Sequence, residues 1–316
     1  FGSSLAISGA AIQEVGEDAL EVGTGQKITP KAVQADAIPT LDFSEIRKLI
    51  MLRLFFTVIL ALATIQTSIA WAGSSEADKS IIPAAKVAAF ANRVQHDLAA
   101  RGANVAIVAR IGRNPSALPN GINYTHVAYW VYSQITQADG STGRGYRVYN
   151  LYQKPGNKTR SDLIQDSPAD FFAGAYKLDA GIIVPDPRLQ KKLLKVIASP
   201  TYSALHNPNY SVLSNPSTSQ FQNCTEHTLD VVMASLYKTS NKSKIKANIA
   251  AHFKPQIIPI GMFKRNLASL TSKAMTTADH GNKVGIVTFG SIAQFMRTYN
   301  LTSKVYRLTP NKAVHL

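Results

Sequence analysis

Apolar residues recur at helical spacing along much of the chain. In residues 84–101, Phe90, Val94 and Leu98 share one helix face, and Gly102 marks the expected end of the helix. The same criteria, with capping residues such as Ser167 and Asp186, predict further helices over residues 167–172, 186–199, 240–253 and 290–299.

Runs of β-branched and aromatic residues predict the strands. The runs 124–135 and 146–153 flank the turn signal Asp139-Gly140, so they are expected to form a hairpin. Other short strands are predicted at 105–111, 181–184, 256–260, 284–289 and 303–308. This mixture indicates an α+β fold in which a small antiparallel sheet packs against helices. Residues 200–222, rich in Pro, Asn and Ser, predict a loop long enough to be a candidate functional segment.

The segment before the folded region has the three parts of a secretory signal. Arg47, Lys48 and Arg53 precede the apolar run Leu54–Ile65, and Ala-Trp-Ala at 70–72 is a typical cleavage site. The apolar run is shorter than the roughly 20 residues that a membrane span needs. An uncleaved anchor helix is the alternative.

These patterns divide the chain into three parts. Residues 51–72 are predicted to be a cleavable signal peptide, with Met51 as the natural start, and residues 1–50 to be an upstream extension outside the fold. Residues 80–316 are expected to form a single globular domain. We therefore expect an exported, periplasmic protein.

Charge restricts the partners of the exported part. Residues 73–316 hold 29 Lys or Arg and 12 Asp or Glu, a net charge of +17. Outside the cytoplasm, nucleic acid is not an expected partner, whereas anionic cell-envelope polymers or lipids would be attracted to such a surface. A solvated basic face without a partner is the alternative, and the oligomeric state is left open.

Cys224, the single cysteine, lies where a nucleophilic thiol would be placed. Asn223 is a favourable N-cap for the clearest helix of the chain, so Cys224 falls in its first turn, where the helix dipole and free N–H groups favour a thiolate. A thiol nucleophile also needs a base and a group that orients the base. His126 and Asn150, on the two strands of the predicted hairpin, are the candidates, and we expect all three to converge in one cleft.

Other assignments stay open at this point. Cys224 could be a buried packing residue, His227 on the same helix is an alternative base, and His206 in the long loop is another. The sequence lacks paired metal-ligand spacings and glycine-rich nucleotide motifs, so no metal or cofactor is predicted.

Three segments resemble a known enzyme group. Residues 223–229 (Asn-Cys-Thr-Glu-His-Thr-Leu) resemble the nucleophile box of lecithin:retinol acyltransferase-like proteins, 124–128 their base strand, and 148–151 the strand bearing their third residue. The resemblance implies a circularly permuted, NlpC-type papain-like fold. Thr225 is an additional residue in the box, and Asn150 stands where the acyltransferases have His.

A wider resemblance covers residues 122–131, 145–153, 170–176 and 210–232, which are similar to the bacterial exported family called domain of unknown function 2145. Together these patterns predict an exported cysteine hydrolase or acyltransferase that attacks an amide or ester of the cell envelope. Cys224, His126 and Asn150 would form its triad, and Tyr124 and Gln222 would contact substrate. A non-catalytic, basic envelope-binding module with the same fold is the alternative function.

Overall fold

The computed structural model describes residues 81–136, 139–259 and 274–316. The extension and signal peptide predicted at 1–50 and 51–72 lie outside the described residues, so this division of the chain stays a prediction. No helix of the described ranges is long and apolar enough to cross a membrane.

Seven strands form one antiparallel sheet with the order β4-β3-β2-β1-β5-β8-β9. A separate antiparallel pair joins β6 and β7. The strands are β1 Val105–Ile111, β2 His126–Thr136, β3 Thr142–Lys154, β4 Asn157–Asp166, β5 Lys177–Pro185, β6 Gln256–Ile258, β7 Val284–Ile286, β8 Thr302–Leu308 and β9 Ala313–His315.

The central strand β1 is buried along its whole length, because helices cover both faces of the sheet. Successive side chains of a strand leave opposite faces. Ile107 and Ala109 therefore join one apolar cluster, and Ala106 and Val108 join the other.

The helices divide between these two faces. Apolar residues of α1 Ala84–Ala100 and α2 Pro168–Ala173 belong to the cluster on one face. Apolar residues of four longer helices belong to the other cluster: α3 Pro187–Ile197, α5 Cys224–Tyr237, α6 Lys242–His252 and α7 Phe289–Thr298. The short helix α4 Pro200–Ala204 contributes Tyr202 to the same cluster.

The predicted α+β class, with an antiparallel sheet packed against helices, is confirmed, and the predicted hairpin is β2–β3. The sheet is larger than expected, because β4 and β9 were not predicted from the sequence. Both are edge strands, and the largely polar sequence of β4 gives no apolar alternation. The segment 200–222, predicted to be a loop throughout, contains α4.

Candidate active site

Hydrogen bonds hold the start of α5 firmly in place. The Asn223 side chain caps the helix by accepting the N–H of Glu226 at 3.0 Å, and its amide donates to the carbonyls of Ser211 and Val212. The Thr225 hydroxyl is 2.8 Å from Asn223 Oδ1 and 2.9 Å from a neighbouring backbone carbonyl. Cys224 is therefore the first residue of a well-anchored helix, as predicted.

The Cys224 thiol is buried against Leu151 and Tyr210, with 6% of the residue exposed. Burial raises the pKa of the thiol above its usual value. The backbone N–H groups of Val127, Thr225 and Cys224 itself, together with the Arg110 charge, act in the opposite direction. Backbone N–H groups near the sulfur can also stabilise negative charge that develops beside it.

His126 and Asn150 are in direct contact. His126 Nε2 lies 3.0 Å from Asn150 Oδ1, and Asn150 Nδ2 donates to Asp166 Oδ2 at 3.1 Å. Tyr152 donates to the same carboxylate oxygen at 2.7 Å. Since the amide nitrogen donates to Asp166, the Asn150 oxygen faces the imidazole and accepts a hydrogen bond from Nε2–H. The neutral ring therefore carries its basic lone pair on Nδ1.

The His126 ring is also held by aromatic packing. It stacks on Tyr152 at 4.8 Å between ring centroids and lies 5.5 Å from the Phe171 ring. Burial and the Arg110 charge lower its pKa well below the usual value, although the bond to Asn150 acts in the opposite direction. His126 is therefore neutral at physiological pH.

Arg110 brings a positive charge into this buried region. The residue is 1% exposed, donates to the Phe171 carbonyl and lies over the rings of Phe171 and Tyr152. Burial raises the pKa of Asp166 to about 6, and the Tyr152 hydrogen bond and the Arg110 charge partly oppose this rise. Sequence analysis missed Arg110, although a charged residue within the apolar run of β1 was a signal for it.

Cys224 and His126 are neighbours that do not share a hydrogen bond. The thiol lies at the N–H of Val127, the residue after His126 in β2. However, Cys224 packs against Leu151 whereas His126 stacks on Tyr152, and these consecutive residues of β3 point to opposite faces of the sheet. His126 Nδ1 is buried without a hydrogen-bond partner among the described residues. The structure thus brings His126 and Asn150 together and leaves the thiol–imidazole bond unmade.

A cavity of about 90 Å³ reaches Cys224. Tyr124, Thr125 and Tyr210 are among its lining residues, and His126 is not. Of the two residues predicted to contact substrate, Tyr124 is therefore beside the thiol.

Gln222, the other predicted contact, is occupied by internal hydrogen bonds. Its amide donates to Asp230 at 2.7 Å and to the Leu205 carbonyl at 3.1 Å, and its oxygen accepts the N–H of Asn207. The side chain thus anchors the 200–222 segment to α5, and it does not line the cavity at Cys224.

The alternative base His227 lies in a different environment. Its ring packs edge-on against Tyr202 at 4.9 Å and lies 6.4 Å from His206, and neither of its ring nitrogens has a hydrogen-bond partner within the described ranges. Burial lowers the pKa of His227 to about 3 and that of His206 to about 4. His206 bonds Ser161 at 3.0 Å. Both imidazoles are thus part of the packing around α4 and α5.

A buried ionic cluster supports α5 just after the thiol. Lys246 of α6 lies 2.6 Å from Glu226 and 2.8 Å from Asp230, and all three residues are buried. Burial raises the pKa of Glu226 to about 8. The charge of Lys246 opposes this rise, and the charge of Asp230 adds to it. In the part of the chain that the structure describes, no group of three or more His, Cys, Asp or Glu side chains is placed to hold a metal ion.

Comparison with known proteins identifies a family. The model of a family described as "Uncharacterized protein conserved in bacteria (DUF2145)" matches residues 97–296, which include β1 to β7, α5 and most of α7. No curated protein and no solved structure matches the chain. Because the matched region spans well over half of the sequence, the chain belongs to this family.

Proposed function

We propose that this member of the bacterial DUF2145 family is an exported cysteine hydrolase or acyltransferase acting on an amide or ester of the cell envelope. One observation carries the proposal. A thiol in the first turn of a helix, where backbone N–H groups favour its ionised form, is close to β2 at Val127, the residue after an imidazole whose Nδ1 lone pair is unused.

The charge states favour a general-base mechanism. Burial raises the pKa of the thiol and lowers that of the imidazole, so both groups are neutral before the reaction. As the Cys224 sulfur attacks the substrate carbonyl carbon, its proton passes to His126 Nδ1, and the carbon–oxygen π electrons move to oxygen. Backbone N–H groups at Cys224 and Val127 would stabilise this oxyanion.

Collapse of the tetrahedral intermediate completes the transfer. The bond from carbon to the leaving amine or alcohol breaks, His126 returns the proton to that group, and a thioester remains on Cys224. Attack of water on this thioester completes hydrolysis, and attack of another nucleophile completes acyl transfer. Asn150 keeps Nε2 protonated throughout and Asp166 holds Asn150, so both are positioning residues. Because Cys224 and His126 contact side chains on opposite faces of the sheet, productive binding must first move one of them until sulfur and Nδ1 are in contact.

The chain order supports a circularly permuted papain-like fold as part of this proposal. The base on β2 and the orienting Asn on β3 precede the nucleophile at the start of α5, which packs on an antiparallel sheet. This order is similar to that of the NlpC-type acyltransferases. The signal-like segment at 51–72 and the +17 charge of residues 73–316 support the envelope as the site of action.

Trapping the thioester tests the proposal. The protein is incubated with an activated acyl ester, and intact mass spectrometry measures acyl addition at Cys224, the single cysteine of the chain. Cys224→Ala should abolish thioester formation, and His126→Gln should slow it at least about a hundredfold. His206→Gln, which removes another substantially buried imidazole, is the matched control and should react like the unmodified protein.

The competing function is a non-catalytic envelope-binding module. The 6% exposure of Cys224 and its missing hydrogen bond to His126 favour this alternative. It predicts no thioester with any acyl donor and equal, slow iodoacetamide labelling of the unmodified protein and His126→Gln. That pair of results would overturn the hydrolase proposal.

A further inference from the structure

A second space adjoins the cavity at Cys224. This cleft has a volume of about 440 Å³, and Ile122, Tyr124 and Thr288 line both spaces. The cavity at the thiol holds only a few atoms, whereas the cleft is within the size range of small-molecule sites. A substrate whose carbonyl lies at Cys224 therefore has room to extend past Tyr124 into the cleft.

The cleft is lined by more basic than acidic side chains. Asp179 is the acidic residue among its described lining residues, and Lys177, Arg297 and Arg307 are the basic ones. The Asp179 carboxylate is 1% exposed and already engaged: Arg307 Nε donates to it at 2.9 and 2.8 Å, and the Tyr124 hydroxyl donates at 3.2 Å. Its charge is thus offset within the protein.

The remaining cations differ in their availability. Arg297 donates to the backbone oxygen of Leu316. Lys177, at the exposed start of β5, has no ion pair or side-chain hydrogen bond with any described residue. Arg307 is fixed by Asp179 through Nε and Nη2, and its Nη1 makes no hydrogen bond within the described ranges. Lys177 therefore offers a positive charge, and Arg307 an N–H donor, within the same cleft.

We propose that this cleft binds an anionic group of the substrate, a carboxylate or a phosphate, at Lys177 and Arg307 while the reacting carbonyl lies at Cys224. The inference deepens the proposed function by naming the substrate class, an acyl donor that carries a negative charge away from the carbonyl. Tyr124 connects the two spaces, because it lines both of them and its hydroxyl donates to Asp179, which is paired with Arg307. Phe289 supports that ring edge-on at 4.9 Å.

Alkylation of the single cysteine tests the cleft without requiring catalysis. The reagents are bromoacetamides that end in a carboxylate, a phosphate or a neutral primary amide on linkers of increasing length, and the rates of Cys224 modification are measured by mass spectrometry. At low ionic strength we expect an anionic reagent of matching length to react about three- to tenfold faster than its neutral partner. The carboxylate and phosphate series then show which anion the cleft accepts.

Two variants assign the preference to the cleft. Lys177→Gln should bring the anionic-to-neutral rate ratio close to one. Lys191→Gln removes an equally exposed charge from α3, outside the cleft, and should leave the ratio unchanged. A ratio of one or less in the unmodified protein, or equal effects of the two variants, overturns the inference.

The result is separable from the proposed chemistry. If the charge preference is present and depends on Lys177 while no thioester forms, the cleft is an anion-binding site and the catalytic proposal fails. If thioesters form equally fast from neutral and anionic donors, and Lys177→Gln changes neither rate, the catalytic proposal stands and the cleft inference fails.

Discussion

Replacing Glu226 with Gln should remove a fall in stability that the unmodified protein shows as the pH rises. Burial raises the pKa of Glu226 to about 8, whereas a Glu side chain in the unfolded chain titrates near 4.5. Between these values the folded protein holds one proton that the unfolded chain has lost. The free energy of unfolding must then decrease by about 1.4 kcal/mol per pH unit.

Between pH 6.5 and 8, a comparison of the two proteins isolates this group. The buried His126, His206 and His227 have lowered pKa values and are neutral in the folded protein, whereas histidines of the unfolded chain still lose protons above pH 6.5, which raises the stability of both proteins equally as the pH rises. Asp166, with a pKa of about 6, is mostly ionised in this interval. Over 1.5 pH units the free energy of unfolding of the unmodified protein should fall by about 1.6 kcal/mol relative to that of Glu226→Gln, because Glu226 itself begins to ionise in the folded state as the pH approaches 8. Glu226→Gln keeps an oxygen that can accept from Lys246 but has no proton to lose at this position.

Urea unfolding at pH 6.5, 7.2 and 8 measures this difference through the transition midpoints. Asp139→Asn, in the exposed β2–β3 turn, is the control and should retain the slope of the unmodified protein. Equal slopes for the unmodified protein and Glu226→Gln would show that Glu226 is ionised in the folded state at pH 6.5. Burial would then not be sufficient to keep Glu226 protonated.

Three further changes separate the roles of the site residues. Cys224→Ser should abolish thioester formation. It should lower the free energy of unfolding by less than about 1 kcal/mol, because a hydroxyl can accept the same backbone N–H groups. A larger loss in urea unfolding would indicate a packing role. Asn150→Ala should slow thioester formation at least about tenfold by releasing the Nε2 side of His126, and an unchanged rate would exclude a positioning role. Gly181→Ala places a Cβ 2.7 Å from the Tyr124 ring, so it should cost about 1–3 kcal/mol, whereas Gly281→Ala, with open space around its Cβ, should cost little; equal melting temperatures for the two variants would contradict this packing.

Local sequence signals were sufficient for the elements that carry the site. Asn223 specified where α5 begins, because its short side chain can cap a helix, and this fixed Cys224 in the first turn. The Asp139-Gly140 turn specified the hairpin that brings His126 and Asn150 within 3.0 Å. Both relations depend on short-range geometry, which residue type and spacing determine.

Features that depend on the assembled sheet could not be predicted. Asp166 ends β4, whose polar sequence has the composition of an edge strand and not the apolar alternation by which strands are found. Cys224 packs with Leu151 and His126 with Tyr152, and which of these two consecutive β3 residues meets each partner depends on the register of the assembled sheet, which no local pattern encodes. The sequence identified the right neighbourhood for the thiol and imidazole without determining which face of the sheet each one occupies.

The buried charges explain why the site would use an uncharged thiol and imidazole. A thiolate–imidazolium pair would add a second positive charge close to Arg110, which already lowers the pKa of His126 and cannot itself give up its proton at ordinary pH. Burial penalises both ions further. The Arg110 charge favours negative charge on sulfur as the thiol proton leaves, and it opposes the positive charge that forms on His126 in the same step. An arginine near the end of a buried strand is costly to keep, and its position over Tyr152 and Phe171 places its charge beside His126.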